Sequence, residues 1–159
     1  MTNSNLIVLD GLFIKQLISS NIELYVDKKY DLQILIENIV NHYRLRNADV
    51  YFFESSFWQE WLSHSLSLPS KSHLSSLRNV SFNRILSFGV CQEAALFIEH
   101  NFDNYQRVYL VGDDPIYETV LHKLSQFDNL VLIHYLKDSG LTDLPFGFCD
   151  IHKLLRKKV

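Results

Sequence analysis

The sequence predicts an α/β fold, a three-layer sandwich with helices on both faces of a mainly parallel sheet of about five strands. Two observations predict it. Short, nearly continuous apolar runs (Leu6 to Leu9, Val50 to Phe53, Val108 to Val111 and Leu130 to Tyr135) have the pattern of strands covered on both faces. Between them lie stretches whose apolar residues recur at helical spacing, the alternation that right-handed crossovers produce.

Leu6 to Leu9 form the first strand, and it runs into Asp10-Gly11. Leu12, Phe13, Ile14, Leu17 and Ile18 then carry a helix into Ser19-Ser20-Asn21. Ile22, Leu24 and Val26 alternate like a strand within Asn21 to Lys29. From Asp31, an N-cap residue type, the spacing of Leu32, Leu35, Ile39 and Tyr43 predicts a helix ending near Arg46-Asn47. Val50 to Phe53 is the next strand, closed by Glu54-Ser55-Ser56. Phe57, Trp58, Trp61 and Leu62 fit another helix, which runs out in the serine-rich segment from Ser63 to Ser76. Val80 to Leu86 supplies an edge strand, and Cys91 to His100 a helix rich in good helix formers. The strand from Val108 to Val111 ends at Gly112-Asp113-Asp114, and Pro115 opens a helix to about Phe127 with Ile116, Val120, Leu121 and Leu124 on one side. After the strand from Leu130 to Tyr135 comes a loop around Gly140 and Pro145, then a short helix from Cys149 to Leu155.

At 159 residues the chain is expected to be a single domain, residues 1–159, able to bury roughly two-thirds of its unfolded surface. Its 47% hydrophobic and 21% charged content, with 11 Phe and 8 Tyr, is that of a globular protein rather than a disordered one. A net charge of −3 excludes a broad basic surface that binds nucleic acid by charge alone. Two cysteines, Cys91 and Cys149, are too few for a disulfide scaffold, and no signal peptide precedes Leu6. The expectation is a cytoplasmic protein with reduced thiols and no membrane contact.

Two apolar strands, far apart in sequence, end in Asp beside Gly: Asp10-Gly11 and Gly112-Asp113-Asp114. In open α/β sheets ligands collect beyond the carboxyl ends of the strands, so these carboxylates stand where a site would be. A shared acidic rim suits a hard divalent cation, because Mg²⁺ takes one or two protein carboxylates and keeps waters or phosphate oxygens for the rest. Asp10 and Asp113 are the candidate ligands, with Asp114 assisting. The competing role is structural, since Asp10 and Asp113 can each cap the helix that follows.

The blocks LIVLDG, VYFF, FGVCQEAALFIEH, VYLVGDDPIYETVLHKL, LVLIHY and GFCDIHKLL, in that order over nearly the whole chain, resemble the NYN domain, a branch of the PIN-like ribonucleases. The resemblance implies a PIN-like arrangement and a metal-dependent ribonuclease or RNA-processing factor. Its catalytic residues would be Asp10, Asp113 and Asp114, with Mg²⁺ or Mn²⁺ on Asp10 and Asp113. The family pattern is incomplete. Leu12 or Phe13 stands where the family has Asn, Cys91 replaces the Asp of Gly89-Val90-Cys91, Val111 replaces a Ser, and Pro115-Ile116 replaces a final Asp-Phe. Glu93, two residues past Cys91, is turned well away from its helical face. A second expectation therefore stands beside the first: a catalytically degenerate NYN-like module that binds RNA or a protein partner, a second copy of the chain included.

Arg44, Arg46, Arg78, Arg84 and the tail Arg156-Lys157-Lys158 are candidates for an RNA-contacting surface beside the acidic rim, or simply solvated charges. Phe57, Trp58 and Trp61 are either core or interface. No GxGxxG or GxxxxGK[ST] motif supports a nucleotide cofactor, and the scattered histidines form no HxxxH or CxxC arrangement.

Overall fold

The computed structural model describes residues 4–20, 30–69, 79–123, 130–134 and 147–150. In chain order the elements are β1 (Asn5–Asp10), α1 (Gly11–Ser20), β2 (Tyr30–Asp31), α2 (Leu32–His42), β3 (Ala48–Glu54), α3 (Gln59–Ser65), β4 (Leu66–Ser67), β5 (Val80–Leu86), α4 (Val90–Asn101), β6 (Arg107–Val111), α5 (Ile116–Lys123), β7 (Leu130–His134) and β8 (Gly147–Asp150). Six strands form one sheet in the order β5-β3-β1-β6-β7-β8, and every neighbouring pair is parallel. β2 and β4 make a small separate pair.

β1 occupies the centre because its side chains have no polar face to expose. Leu6, Ile7, Val8 and Leu9 are all fully buried and alternate between two cores. Ile7 and Leu9 pack with Phe13 and Leu17 of α1 and Leu35 and Ile39 of α2. Leu6 and Val8 pack with Ala94 and Ile98 of α4 and Tyr117 and Val120 of α5. Helices thus lie on both faces, giving the three expected layers. Each such fully buried aliphatic side chain is worth about 1.5–3 kcal/mol as an upper estimate.

The main sheet has one strand more than expected. Gly147–Asp150 pairs with β7, with Cys149 opposite Ile133, so Cys149 and Asp150, expected to start a terminal helix, lie in a strand instead. Four residues hold too little of either period to separate helix from strand, and the open edge of β7 decides. β2 and β4 were not expected either, since two-residue strands carry no pattern. The alternating stretch from Asn21 to Lys29, the loop around Gly140 and the basic tail lie outside the described residues, as does the part of the expected helix that follows Lys123.

Asp31 caps α2 as expected, accepting from the Gln33 amide at 3.0 Å. The helix stops earlier than its periodicity suggests. Arg44 takes a left-handed φ of 55°, and the chain closes a Schellman motif: Leu45 N–H donates to Val40 O at 2.9 Å and Arg44 N–H to Asn41 O at 3.3 Å. After β3, the Ser55 hydroxyl accepts from Phe57 N–H and winds Ser56–Trp58 into a 3₁₀ turn before α3 begins. Trp58 and Trp61 pack against the two cores, while Phe57 is 83% exposed. Among the described residues no helix is long and apolar enough to cross a membrane.

Candidate functional site at the carboxyl edge of the sheet

From β1 the chain order runs one way through β3 to β5 and the other way through β6, β7 and β8. The strand order therefore reverses between β1 and β6, and such a switch point is where ligands bind beyond the carboxyl ends of parallel strands. Leu9 is in register with Val111, which sets Asp10 beside Gly112 and brings Asp113 and Asp114 to the same rim. The glycine is required there. A Cβ on Gly112 would lie 2.9 Å from the Tyr117 ring and 3.3 Å from Asp10 Cβ.

Asp10 is completely buried. Its Oδ1 accepts from the Leu12 and Phe13 amides at 2.9 and 3.1 Å, so it caps α1. Its Oδ2 accepts from the Tyr117 hydroxyl at 2.6 Å and from Cys91 Sγ at 3.3 Å. Burial raises the carboxyl pKa above its usual value, and these four bonds, that of Tyr117 foremost, pull it back. Desolvation and the Asp10 carboxylate push the Tyr117 hydroxyl and the Cys91 thiol far upward. Both remain protonated donors. Cys91 is accordingly no thiolate nucleophile, and it is unpaired with any other cysteine.

Asp113 is half-buried, and its carboxyl pKa is raised by desolvation and then by the charges of Asp10 and Asp114. Between the two aspartates the capping role falls to Asp114, not Asp113: Asp114 Oδ1 accepts from the Ile116 amide at 2.9 Å. Glu93 is exposed on α4, as its helical position predicts.

The residues present do not fit a directly held divalent cation. Both oxygens of Asp10 are taken by protein donors, Tyr117 at short range. Among the described residues no group of three or more His, Cys, Asp and Glu side chains is arranged to hold a metal.

Two partners of the rim were not legible in the sequence. Tyr117 stands one position off the apolar stripe Ile116-Val120-Leu121, yet it is fully buried and supplies the shortest bond to Asp10; a buried tyrosine needs a polar partner, and the nearby aspartates were the signal. Glu54, at the end of β3, is also fully buried. Arg84 of β5 grips it with two parallel bonds, Nε to Oε2 at 2.7 Å and Nη2 to Oε1, and the Gln59 amide adds a third at 3.0 Å. The bond to Glu54 raises the Arg84 pKa. Arg84 is thus committed to a structural pair, and Arg44 and Arg46, which follow α2 and precede β3, lie at the opposite end of the sheet from the acidic rim. The basic surface expected beside the rim does not form from these three residues.

No protein-family model matches the chain, and no curated protein matches it. Solved structures resemble it distantly. T5 5′-exonuclease with bound zinc has a TM-score of 0.47 at 14% identity, over 82% of this chain and 55% of that one. The T5 D15 protein crystallised with metal ions has a TM-score of 0.48 at 15% identity, over 82% and 55%. The chain spans about half the length of these T5 structures. The nicotinamidase SaPncA from Staphylococcus aureus has a TM-score of 0.36 at 15% identity, over 94% of this chain and all of that one.

Proposed function

We propose that the chain is a PIN-like module of the NYN type that binds RNA and does not cleave it. The order of sequence blocks and the placement of Asp10 and Asp113 at one switch point support the PIN-like assignment. The observation that carries the loss of cleavage is the saturation of Asp10. A carboxylate whose oxygens already accept from two amides, a phenol and a thiol has no short-range position left for a cation or a metal-bound water. Cys91 stands where the family pattern has Asp, and its thiol donates to the carboxylate that the missing residue would have joined.

A residual metal-dependent ribonuclease is the second reading, and one observation favours it: Asp113 is partly exposed beside two like charges, which a cation would relieve. The experiment that separates them incubates the chain with single-stranded and structured RNA in Mg²⁺ or Mn²⁺, alongside Asp10→Asn and Asp113→Asn, with binding followed by fluorescence anisotropy. The binding module gives measurable affinity and the same background cleavage in all three proteins. Mg²⁺-dependent cleavage by the wild type that Asp113→Asn abolishes would establish the nuclease. Absence of RNA binding, with capture of a protein partner or self-association instead, would replace RNA as the occupant.

A further inference from the structure

At the opposite end of the sheet, where β1 and β6 begin, a pocket of about 580 Å³ is lined by Arg44, Arg46, Arg107, Tyr43, Tyr109 and the Ser4-Asn47 contact. We infer that this pocket binds a phosphate ester, with the three guanidinium groups holding the phosphate. This does not rest on the loss of cleavage at Asp10, and a chain that cut RNA would be expected to bind the anion here as well.

Three arginines meet in one concavity with no Asp or Glu in its lining. All three are exposed, and among the described residues none of them makes an ion pair. Like charges brought together repel, so nothing among the described residues rewards the arrangement; a multiply charged anion does. Guanidinium groups offer paired donors that match phosphate oxygens, and no acceptor. The second observation is Tyr109. Its ring is fully buried, and its hydroxyl has no hydrogen-bond partner of good geometry. Burial raises that hydroxyl's pKa, while a loose contact from the neighbouring Arg107 guanidinium, too poorly aligned to count as a full hydrogen bond, and that group's charge pull it down and leave the phenol's own proton without an acceptor. A phenol proton and a guanidinium side by side are both donors, and an anionic oxygen between them would satisfy both.

Hydrogen bonds tie the scaffold around the pocket together. Asn47 Oδ1 accepts from Ser4 N–H at 2.6 Å, Asn5 Nδ2 donates to Asn47 O at 2.8 Å, and Gln106 N–H donates to Ser4 O at 2.8 Å. These bonds fix the starts of β1 and β6 against the turn that carries Arg44 and Arg46. Arg44 itself occupies the left-handed position of the Schellman motif, where glycine is the relaxed choice. A strained arginine at the mouth of an arginine-lined pocket suits a residue kept for its side chain. The volume falls in the range of roughly 300–1,000 Å³ typical of small-ligand sites. Tyr43, its ring 4.7 Å from that of Tyr109, adds an aromatic wall. A single compact group of two or more charges fits a concave cluster better than an acidic peptide, whose carboxylates are spaced along an extended chain.

Calorimetric titrations of the full chain, at roughly 0.15 M salt so that diffuse attraction is screened, would use five probes: inorganic phosphate, AMP, a 5′-phosphorylated oligoribonucleotide, its 5′-hydroxyl counterpart and polyglutamate. Binding of AMP, or of the 5′-phosphorylated oligomer over its counterpart, supports the inference and identifies whether the ester is free or at an RNA end. In Arg46→Gln/Arg107→Gln that binding weakens at least about tenfold, as expected for lost charge-assisted contacts. Arg44→Gly guards against a folding artefact: it relaxes the backbone, so its unfolding temperature rises while its affinity falls. No detectable binding of any phosphate probe overturns the inference. So does affinity unchanged in the arginine variants, or polyglutamate binding as tightly as the phosphorylated probes.

Discussion

Removing one oxygen atom tests whether the acidic rim is organised around a protein-satisfied carboxylate. Tyr117→Phe keeps the ring that packs against Gly112 and Asp10 but deletes the donor 2.6 Å from Asp10 Oδ2. The acceptor is fully buried, so water does not simply replace the lost bond. A hydrogen bond to a charged group is worth about 1.5–3 kcal/mol and one between neutral groups about 1 kcal/mol. The penalty therefore depends on the charge of Asp10. Its carboxyl titrates above the ordinary 3.8 in the folded chain. The folded state then holds its proton longer than the unfolded state, and the stability it contributes is complete below the unfolded pKa and is lost as pH rises through the folded one. Deleting the Tyr117 bond, the strongest of those lowering that pKa, raises the folded value further, by roughly one unit if about 1.4 kcal/mol of the bond is specific to the ionised form. Urea unfolding across acid to neutral pH should show a loss of about 1 kcal/mol in acid that grows to about 2–3 kcal/mol at neutral pH. At neutral pH this corresponds to a fall in melting temperature of roughly 5–10 °C. A loss that is the same at both ends of the range, or below about 0.5 kcal/mol throughout, would refute the idea that Tyr117 stabilises an ionised Asp10.

The binding-module reading predicts that metal binding can be built in. Cys91→Asp/Tyr117→Phe frees Asp10 Oδ2 and adds a carboxylate beside it, so Mn²⁺ should raise the melting temperature of this variant and leave the wild type unmoved; at a hundred times the dissociation constant the linked stabilisation is about 2.7 kcal/mol. On the other side of the rim, Arg84→Ala leaves the buried Glu54 carboxylate with only the Gln59 amide. Breaking a fully buried pair costs about 3–5 kcal/mol, but the Arg84 side chain is 46% exposed, so denaturant unfolding should show about 2–3 kcal/mol.

Much of the fold could be read from β1, β3 and β6 because burial on both faces leaves a mark in the sequence: no polar residue interrupts Leu6 to Leu9 or Val108 to Val111. Ends were less legible. α2 stops at His42 because Arg44 turns left-handed and Leu45 returns to the core, a decision made by backbone hydrogen bonds and one apolar contact that periodicity does not encode. β8 depends on the free edge of β7, and an edge is a property of the assembled sheet. Phe57 and Trp58 share one aromatic cluster in sequence, yet the 3₁₀ turn sends the first to solvent and the second to the core.

The rim was half legible for a different reason. Asp10 and Asp113 announce themselves because a carboxylate after an apolar strand is conspicuous, and strand order then brings them together. The groups that decide what Asp10 does are a thiol, which only the family resemblance places at the site, and a phenol one position off the apolar stripe of its helix. Their distance from Asp10 in sequence, 81 positions for Cys91 and 107 for Tyr117, hides the link until α4 and α5 are laid on the same face of the sheet. Capping by itself does not decide against metal binding. Two amides occupy only Oδ1, which would leave Oδ2 for a cation. It is Cys91 and Tyr117, holding their protons because both are buried and lie beside the Asp10 carboxyl, that occupy the second oxygen. Neutral donors can replace a cation at a buried carboxylate because each supplies a directed dipole without bringing a second charge that must itself be desolvated. In the binding-module reading, the replacement stabilises the charge and gives up the open coordination position on which metal-assisted hydrolysis depends.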